Sequence, residues 1–357
     1  MKRSNGYGTK SMLVVAVVGT MVFGGGPVRA DFALGEYTNL GPAVNSPHGD
    51  VFPRISADGL TLYFASDRPD GLGDHDLWLT TRVSKDCPWT EAVNMGATVN
   101  SPDDEYGPTI SADGLALFFN SDRPGGSGEN DLWVATRATV NDDWSSPANL
   151  GPAVNSPANE FLPSISPDGL SLYFVSNRPG GQGDADLYVT TRRTPWDAWG
   201  TPVNLGATVN GPSADSGPTV TGGGLSLFFM FQPHPMPRNY SSLWLSKRRT
   251  AQAPWGTPVN LGPCIDRDVV DLDISPDGTS VFLSCYKRSG GSGWQDIWQA
   301  PITPICDFNG DGVVDVVDVF IMLQHWQTDH PLCDIGPMPW GDGIVDAQDL
   351  AVLAAHL

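Results

Sequence analysis

Along most of this chain the hydrophobic positions alternate in twos. Stretches such as "LTLYFAS" from residue 60, "LALFFNS" from 115 and "LSLYFVS" from 170 set branched and aromatic side chains against small or polar ones. This is the period of a half-buried strand. Each stretch follows a short "PRIS", "PTIS" or "PSIS" segment and an Asp-Gly turn, and each leads through a Gly- and Pro-rich loop into "DLWLTT", "DLWVAT" or "DLYVTT". A last short segment runs from Trp89, Trp144, Trp199 or Trp255 into the "VNMG", "ANLG" or "VNLG" that follows. Four strands per unit are expected, with turns between them.

The units repeat. "VFPRISADGLTLYFASDRPDGLGDHDLWLTTR" begins at residue 51, "YGPTISADGLALFFNSDRPGGSGENDLWVATR" at 106 and "FLPSISPDGLSLYFVSNRPGGQGDADLYVTTR" at 161, with two diverged copies after them. The turn glycines Gly59, Gly114, Gly169, Gly224 and Gly278 recur every 54 or 55 residues, and Gly41, Gly96, Gly151, Gly206 and Gly262 keep nearly the same period. A period of this size with four strands in each unit predicts an all-β fold, a five-bladed β-propeller over residues 31–303. The segment "EYTNLGPAVN" before the first full unit is expected to supply the outer strand of the last blade, so that no sheet edge stays open. A linear β array has the same period.

The repeated motif "SxDGxxLxFxSxRxGGxGxxDLW" resembles the TolB-type, WD40-like propeller repeat called PD40, across roughly residues 45 to 300. Copies one to three match closely. The fourth, "TGGGLSLFFMFQPHPMPRNYSSLWLS", departs: Gly223 stands where the others have Asp, and no Asp precedes Leu243. The resemblance implies a binding or scaffold role more than one particular reaction.

The repeated polar residues divide by their surroundings. Asp58, Asp113, Asp168 and Asp277 precede turn glycines, where a carboxylate accepts local backbone bonds. Asp76, Asp131, Asp186 and Asp296 open the "DLW" strand, and Arg68, Arg123 and Arg178 follow the preceding one, as links between loop and strand. Trp78, Trp133, Trp244 and Trp298, with Tyr188 in the third copy, are expected to pack the blades. Asp50, Glu105, Glu160 and Asp215 lie nine residues before their turn glycines, with Asp268 close to register in the fifth copy. They either form a carboxylate ring at one channel mouth, able to bind cations or polar ligands, or pair one by one with a neighbouring Arg. In the fourth copy His234, Arg238 and Tyr240 come close together in a stretch that otherwise reads as a loop.

Charge and the chain ends narrow the partners. Lys2, Arg3 and Lys10 precede the apolar "MLVVAVVGTMVF" and the small-residue "GGGPVRA", so residues 1–30 read as a secretory signal peptide cleaved after Ala30. Without it, 16 basic residues face 40 acidic ones, a net charge of −24. Such a surface repels nucleic acid and anionic lipid. No other segment reads as a membrane span, and a secreted, cell-surface or periplasmic location is expected. Of the five cysteines, Cys306 and Cys333 are the preferred disulfide, each directly before an Asp that opens a loop. Cys264 with Cys285 is a second pairing, and Cys87 is left over.

Residues 304–357 change character. In "CDFNGDGVVDVVDVFIMLQHW", Asp307, Asn309 and Asp311 take loop positions 1, 3 and 5, the Val313 carbonyl 7, Asp315 9 and Asp318 12. This is the oxygen-ligand alternation of an EF-hand, with Asp in place of the terminal Glu. A second loop sets Asp342, the Ile344 carbonyl, Asp346 and Asp349 at positions 5, 7, 9 and 12, with Asp334 as position 1 across an insertion and Trp340 at 3. Two such loops, each before a short helix, resemble a type I dockerin module. That resemblance implies calcium as cofactor and a cohesin-like protein partner, often in polysaccharide-degrading assemblies. Val316, Val317, Ala347 and Gln348 stand where dockerins often carry small hydroxyl residues.

Together these features lead us to expect a secreted, non-catalytic propeller for binding or scaffolding, with polysaccharide or protein as partner. A glycoside hydrolase is the alternative, since five-bladed propellers host paired carboxylates and dockerins accompany such enzymes.

Overall fold

The computed structural model describes residues 32–232, 242–261, 269–304, 306–309, 313–328, 330, 333–336 and 344–357. Residues 1–30, His234, Arg238, Tyr240, Cys264, Asp268, Asp311, Trp340 and Asp342 lie outside them.

Five antiparallel sheets of the expected kind follow one another. Blade one is Asp50–Ile55, Thr61–Ser66, Asp76–Thr81 and Val93–Asn94, hydrogen-bonded in that order. Blade two is Glu105–Ile110, Ala116–Ser121, Asp131–Thr136 and Ala148–Asn149; blade three is Glu160–Ile165, Ser171–Ser176, Asp186–Thr191 and Val203–Asn204. Blade four is Ala214–Thr221, Ser226–Gln232, Ser242–Lys247 and Val259–Asn260. Blade five has three strands from its own repeat, Val269–Ile274, Ser280–Tyr286 and Gln295–Pro304. Its outer strand comes from the start of the described chain: Thr38–Asn39 pairs with Gln299 and Trp298, and Phe32–Leu34 continues along the same strand. The inner strands of neighbouring blades touch all the way round, including the fifth with the first. The array is therefore a closed ring, not a linear one.

Aromatic side chains join blade to blade. Trp199 of blade three meets Phe118 of blade two edge-on, with ring centroids 6.0 Å apart, and Trp255 meets Tyr173 at the next junction in the same way, at 6.0 Å. Where the ring closes, Trp89 of blade one meets Phe282 of blade five at 6.2 Å. An arginine lies over the outer face of each tryptophan, Arg82 at 4.3 Å from Trp89, Arg192 at 4.2 Å from Trp199 and Arg248 at 4.2 Å from Trp255. Trp78, Trp133, Tyr188 and Trp298 are buried in the blades, as expected for packing residues.

The inner strands carry a feature that the alternation did not predict. Each has a register shift near its start, and in the first four blades the third or fourth residue of the strand, inside that shift, takes positive φ just before a proline. It is Gly107 (+56°) and Gly217 (+55°) in two blades but Phe52 (+55°) and Leu162 (+49°) in the others. This is a β-bulge, with the proline at a position where no ladder donor is needed.

Below the bulges, polar side chains link one inner strand to the next. Val220 N–H donates to Ser164 Oγ (3.1 Å) and Thr219 Oγ1 to Leu272 O (2.8 Å). At the closing junction the link is ionic: Arg54 Nη1 donates to Asp271 Oδ2 at 2.6 Å and to Leu272 O at 3.1 Å, and Ile55 N–H donates to Asp273 Oδ2 at 2.8 Å. Burial opposes the charge on Arg54, but Asp271 and Asp273 more than offset it. Asp273 is itself pushed up to about 6 by burial. Arg54 and Asp271 are both almost wholly buried, so each depends on the other for charge compensation. Arg54→Ala is accordingly expected to cost about 3–5 kcal/mol in urea unfolding. The double variant Arg54→Met, Asp271→Leu should lose clearly less than Arg54→Ala alone.

Candidate functional site

The carboxylate series expected at a channel mouth is placed differently. Asp50, Glu105 and Glu160 are fully buried, and each is held by the arginine of its own blade. Arg123 Nη2 donates to Glu105 Oε1 (2.6 Å) and to the Val99 carbonyl (2.7 Å); Arg178 does the same with Glu160 (2.9 Å) and Val154 (2.7 Å), and Arg68 with Asp50 and Val44. Serines complete the clamp: Ser101 Oγ donates to Glu105 at 2.6 Å and Ser121 Oγ at 3.1 Å. Burial raises the Asp50 and Glu105 carboxyls, while the arginine and serine contacts oppose it. The exposed ligand ring is thus corrected to three buried ion pairs, because each of these strands places its carboxylate toward its own blade's Arg loop.

The fourth member differs. In blade four, Gly211, Phe231 and Pro233 stand where blade two has Ser101, Ser121 and Arg123. Asp215 is still fully buried, and accepts one backbone bond, from Gly211 N–H at 2.7 Å to Oδ2. Its Oδ1 has no partner among the described residues. Burial, aided by Asp186, pushes its carboxyl up to about 7.

The remaining repeated acids serve local structure. Asp76 closes the preceding loop by accepting from Leu72 N–H (2.6 Å) and Gly73 N–H (3.1 Å), and takes a third bond from the Asn94 side chain (2.7 Å). Asp131 holds the Ser127–Gly128 loop and Asn149 the same way. A Cβ at Gly128 would stand 2.0 Å from the Ala158 carbonyl of the next blade, which explains the last glycine of the GGxG loop. Asp58 accepts from Leu60 N–H at 2.9 Å across its turn, where Gly59 has φ +74°.

The C-terminal segments form two matching loop–helix units, with helices Val316–Gln324 and Ala347–Ala354. Asp315 and Asp346 cap them, accepting from Val317 N–H (2.7 Å) and Gln348 N–H (2.8 Å). Asp318, fully buried, folds the first loop back by accepting from Phe308 N–H at 2.7 Å and Asp315 N–H at 2.9 Å. Asp349 does the same with Ile335, Gly336 and Asp346, all at 2.6 Å. Asp307 is half-buried and Asn309 exposed in the first loop, Asp334 is buried in the second, and Val313 and Ile344 present exposed side chains. The donor set is all oxygen, and carboxylates that accept two or three N–H bonds retain lone pairs, so the chemistry fits a hard cation. Among the described residues no three acidic, His or Cys side chains converge on one point, Asp311 and Asp342 being outside them.

The expected Cys306–Cys333 bridge is not formed. Both are free thiols, buried in one apolar cluster with Met322, Ile335, Val345 and Leu353. Each thus packs as a small hydrophobe beneath its own loop. Burial, with Asp318 beside one and Asp349 beside the other, pushes the Cys306 thiol up to about 11 and that of Cys333 to about 12.

One opening on the propeller was not singled out by the sequence reading. Between blades two and three, on the face that carries the Asp-Gly turns, lies a cleft of about 940 Å³. The buried ring of Phe118 and the half-buried Trp144 and Trp199 line it, with the exposed carboxylates of Asp142 and Asp143 alongside. Trp196 stands beside them with 87% of its surface exposed. The same repeat position is Asp86, Asn141 and Gln252 in other copies, and that contrast was the available signal.

No protein-family model matches the chain, and no curated protein matches it in sequence. Among solved structures it is similar to TolB from Acinetobacter baumannii, at 14% identity and TM-score 0.46, over 72% of this chain and 56% of that one. It is likewise similar to an endo-arabinase from Bacteroides thetaiotaomicron (14%, TM-score 0.47, 72% of this chain and 95% of that one). The GH43 protein BlXynB from Bacillus licheniformis gives 12%, TM-score 0.47, and 74% and 54% of the two chains.

The uncompensated Asp215 leads to a pH-dependent prediction. Its folded pKa lies above the ordinary carboxylate value, so the folded state binds the proton more tightly and loses stability as pH rises through about 7. Asp215→Asn should therefore be more stable than the parent at pH 8, by about 1–3 kcal/mol, and indistinguishable from it at pH 4, as read from urea unfolding at both pH values.

Proposed function

We propose that this chain is an exported, non-catalytic propeller that binds an extracellular polymer, joined to a calcium-dependent docking module of the dockerin type. The observation that supports binding over turnover is the fate of the repeated acids. A glycoside hydrolase needs one carboxyl to protonate the leaving oxygen and another to act at the anomeric carbon. Asp50, Glu105 and Glu160, the acids best placed by the repeat, are instead buried and engaged by Arg68, Arg123 and Arg178.

The docking reading is supported by the first C-terminal helix. Val316, Val317, Phe320 and Leu323 lie along its outer side and are 74%, 44%, 61% and 48% exposed. An apolar stripe at helical spacing left in solvent suits a partner protein that covers it, such as a cohesin-like one. Calcium would be held by Asp307, Asn309, Asp311, Asp315 and Asp318 with the Val313 carbonyl, and in the second loop by Asp334, Asp342, Asp346 and Asp349 with the Ile344 carbonyl. It would supply a charge that fixes both loops, and with them the two helices.

Hydrogen exchange on the full chain separates the two parts. Calcium should slow exchange throughout residues 306–357 and leave residues 32–304 unchanged, and Asp315→Ala with Asp346→Ala should abolish the response. Equal exchange with calcium and with a chelator would remove calcium from the account. Release of reducing ends from a soluble polysaccharide by the purified chain would replace the binding reading with the hydrolase.

A further inference from the structure

Around this ring the blade junctions are built alike, but the closing one carries a bridge that the next three lack. Where blade five meets blade one, Lys85 extends from the loop after the third strand and bonds to Asp277, the turn aspartate of the neighbouring blade. The gap on that face is thereby bridged. The same position is Val140, Pro195 and Ala251 in the next three blades, none with an ammonium group, and where blade two meets blade three the turn aspartate opposite Pro195 is Asp113. The cleft described above opens there.

Its wall is then enriched in the one residue type that a solvent-exposed loop would not need. Trp196, at a repeat position occupied by Asp86, Asn141 or Gln252 elsewhere, holds 87% of its surface in water. Trp144 and Trp199, by contrast, are each covered on one face by an arginine, 4.3 Å and 4.2 Å from the ring. Their role at the junction accounts for them. Nothing in the frame accounts for an indole at 196, and large exposed aromatics beside a formed cleft mark binding surfaces.

The groups around it select the ligand. A flat apolar indole, with the acceptor carboxylates of Asp142 and Asp143 across the cleft and Asp113 and Asp168 at its turns, offers a stacking face plus several hydroxyl acceptors. A chain of 40 acidic and 20 basic residues disfavours polyanions at such a site. From this we propose that the cleft between blades two and three is a binding site for neutral polysaccharide, with a sugar ring stacked on Trp196 and its hydroxyls donating to Asp142 and Asp143. The proposal rests on the polymer-binding reading above and assigns it a place and a ligand class.

Native electrophoresis of the full chain, with calcium present, tests it in gels cast with xyloglucan, glucomannan or hydroxyethyl cellulose and in one cast with polygalacturonate. Retardation is expected in at least one neutral gel and not in the polyanionic one. Trp196→Ala should weaken the retardation at least about tenfold, and Asp143→Asn several-fold. Trp294→Ala, which removes a tryptophan 55% exposed on blade five, should leave it unchanged. Full-strength retardation of Trp196→Ala would overturn this site and leave the polymer-binding reading standing. Stronger retardation by polygalacturonate would overturn the neutral class, and no retardation in any gel would overturn both readings. Because Trp196 is exposed, equal melting temperatures for Trp196→Ala and parent serve as the folding control.

Discussion

The crossover between consecutive blades is gripped from both sides, and the ring depends on that grip. At the first junction Asn100 pairs with the third strand of blade one, accepting from Leu77 N–H at 2.9 Å and donating to Leu77 O at 3.0 Å. One residue earlier, the Val99 carbonyl is held by Arg123 of blade two, which Glu105 holds in turn. The arrangement recurs with Asn155, Val154, Arg178 and Glu160. It closes the circle with Asn45, which accepts from Ile297 N–H at 2.8 Å, and Arg68, which holds Val44 O. A buried carboxylate is costly unless it is paired and hydrogen-bonded. Here its partners are the groups that tie two blades together.

Blade four shows what happens when the grip is relaxed. The arginine and both serines are gone from the repeat, yet the aspartate stays, with one carboxylate oxygen unpartnered among the described residues. The adjoining Gly211 fits the change: a Cβ there would stand 2.6 Å from the Phe231 ring that replaces the serine. Apolar packing has taken the place of the ion pair in this blade while the backbone bond from Gly211 to Asp215 is retained.

The architecture was legible because repetition amplifies weak signals. Five copies of one alternation, four of them with an Asp-Gly turn, identify blade count and strand order, and the early "EYTNLG" segment has no other place than the open edge of blade five. Register within the inner strand was not legible. The bulge at Phe52 and Leu162 puts bulky residues at positive φ, against local preference, and only the glycines and prolines at the equivalent places hinted at it. The ligand ring was an even choice in the sequence because spacing does not say which way a strand faces, and burial decided it in favour of the arginines. The disulfide failed for a related reason: two cysteines in equivalent frames signal duplication, which brings them into one core without joining them.

Repetition also shows where chemistry beyond the frame resides. Residues that recur in every good copy are occupied with holding blades together, whereas Trp196 recurs in none. The central claim is that this frame is structural and that binding uses its single-copy departures. Hydrogen exchange of the full chain with and without saturating neutral oligosaccharide tests it most directly. The account predicts added protection confined to the segments that border the cleft, the loops 138–145 and 193–199 and the turns at 111–115 and 167–169. Protection along the inner strands, from Asp50 to Ile55 or from Glu105 to Ile110, would contradict it and return the ligand to the channel.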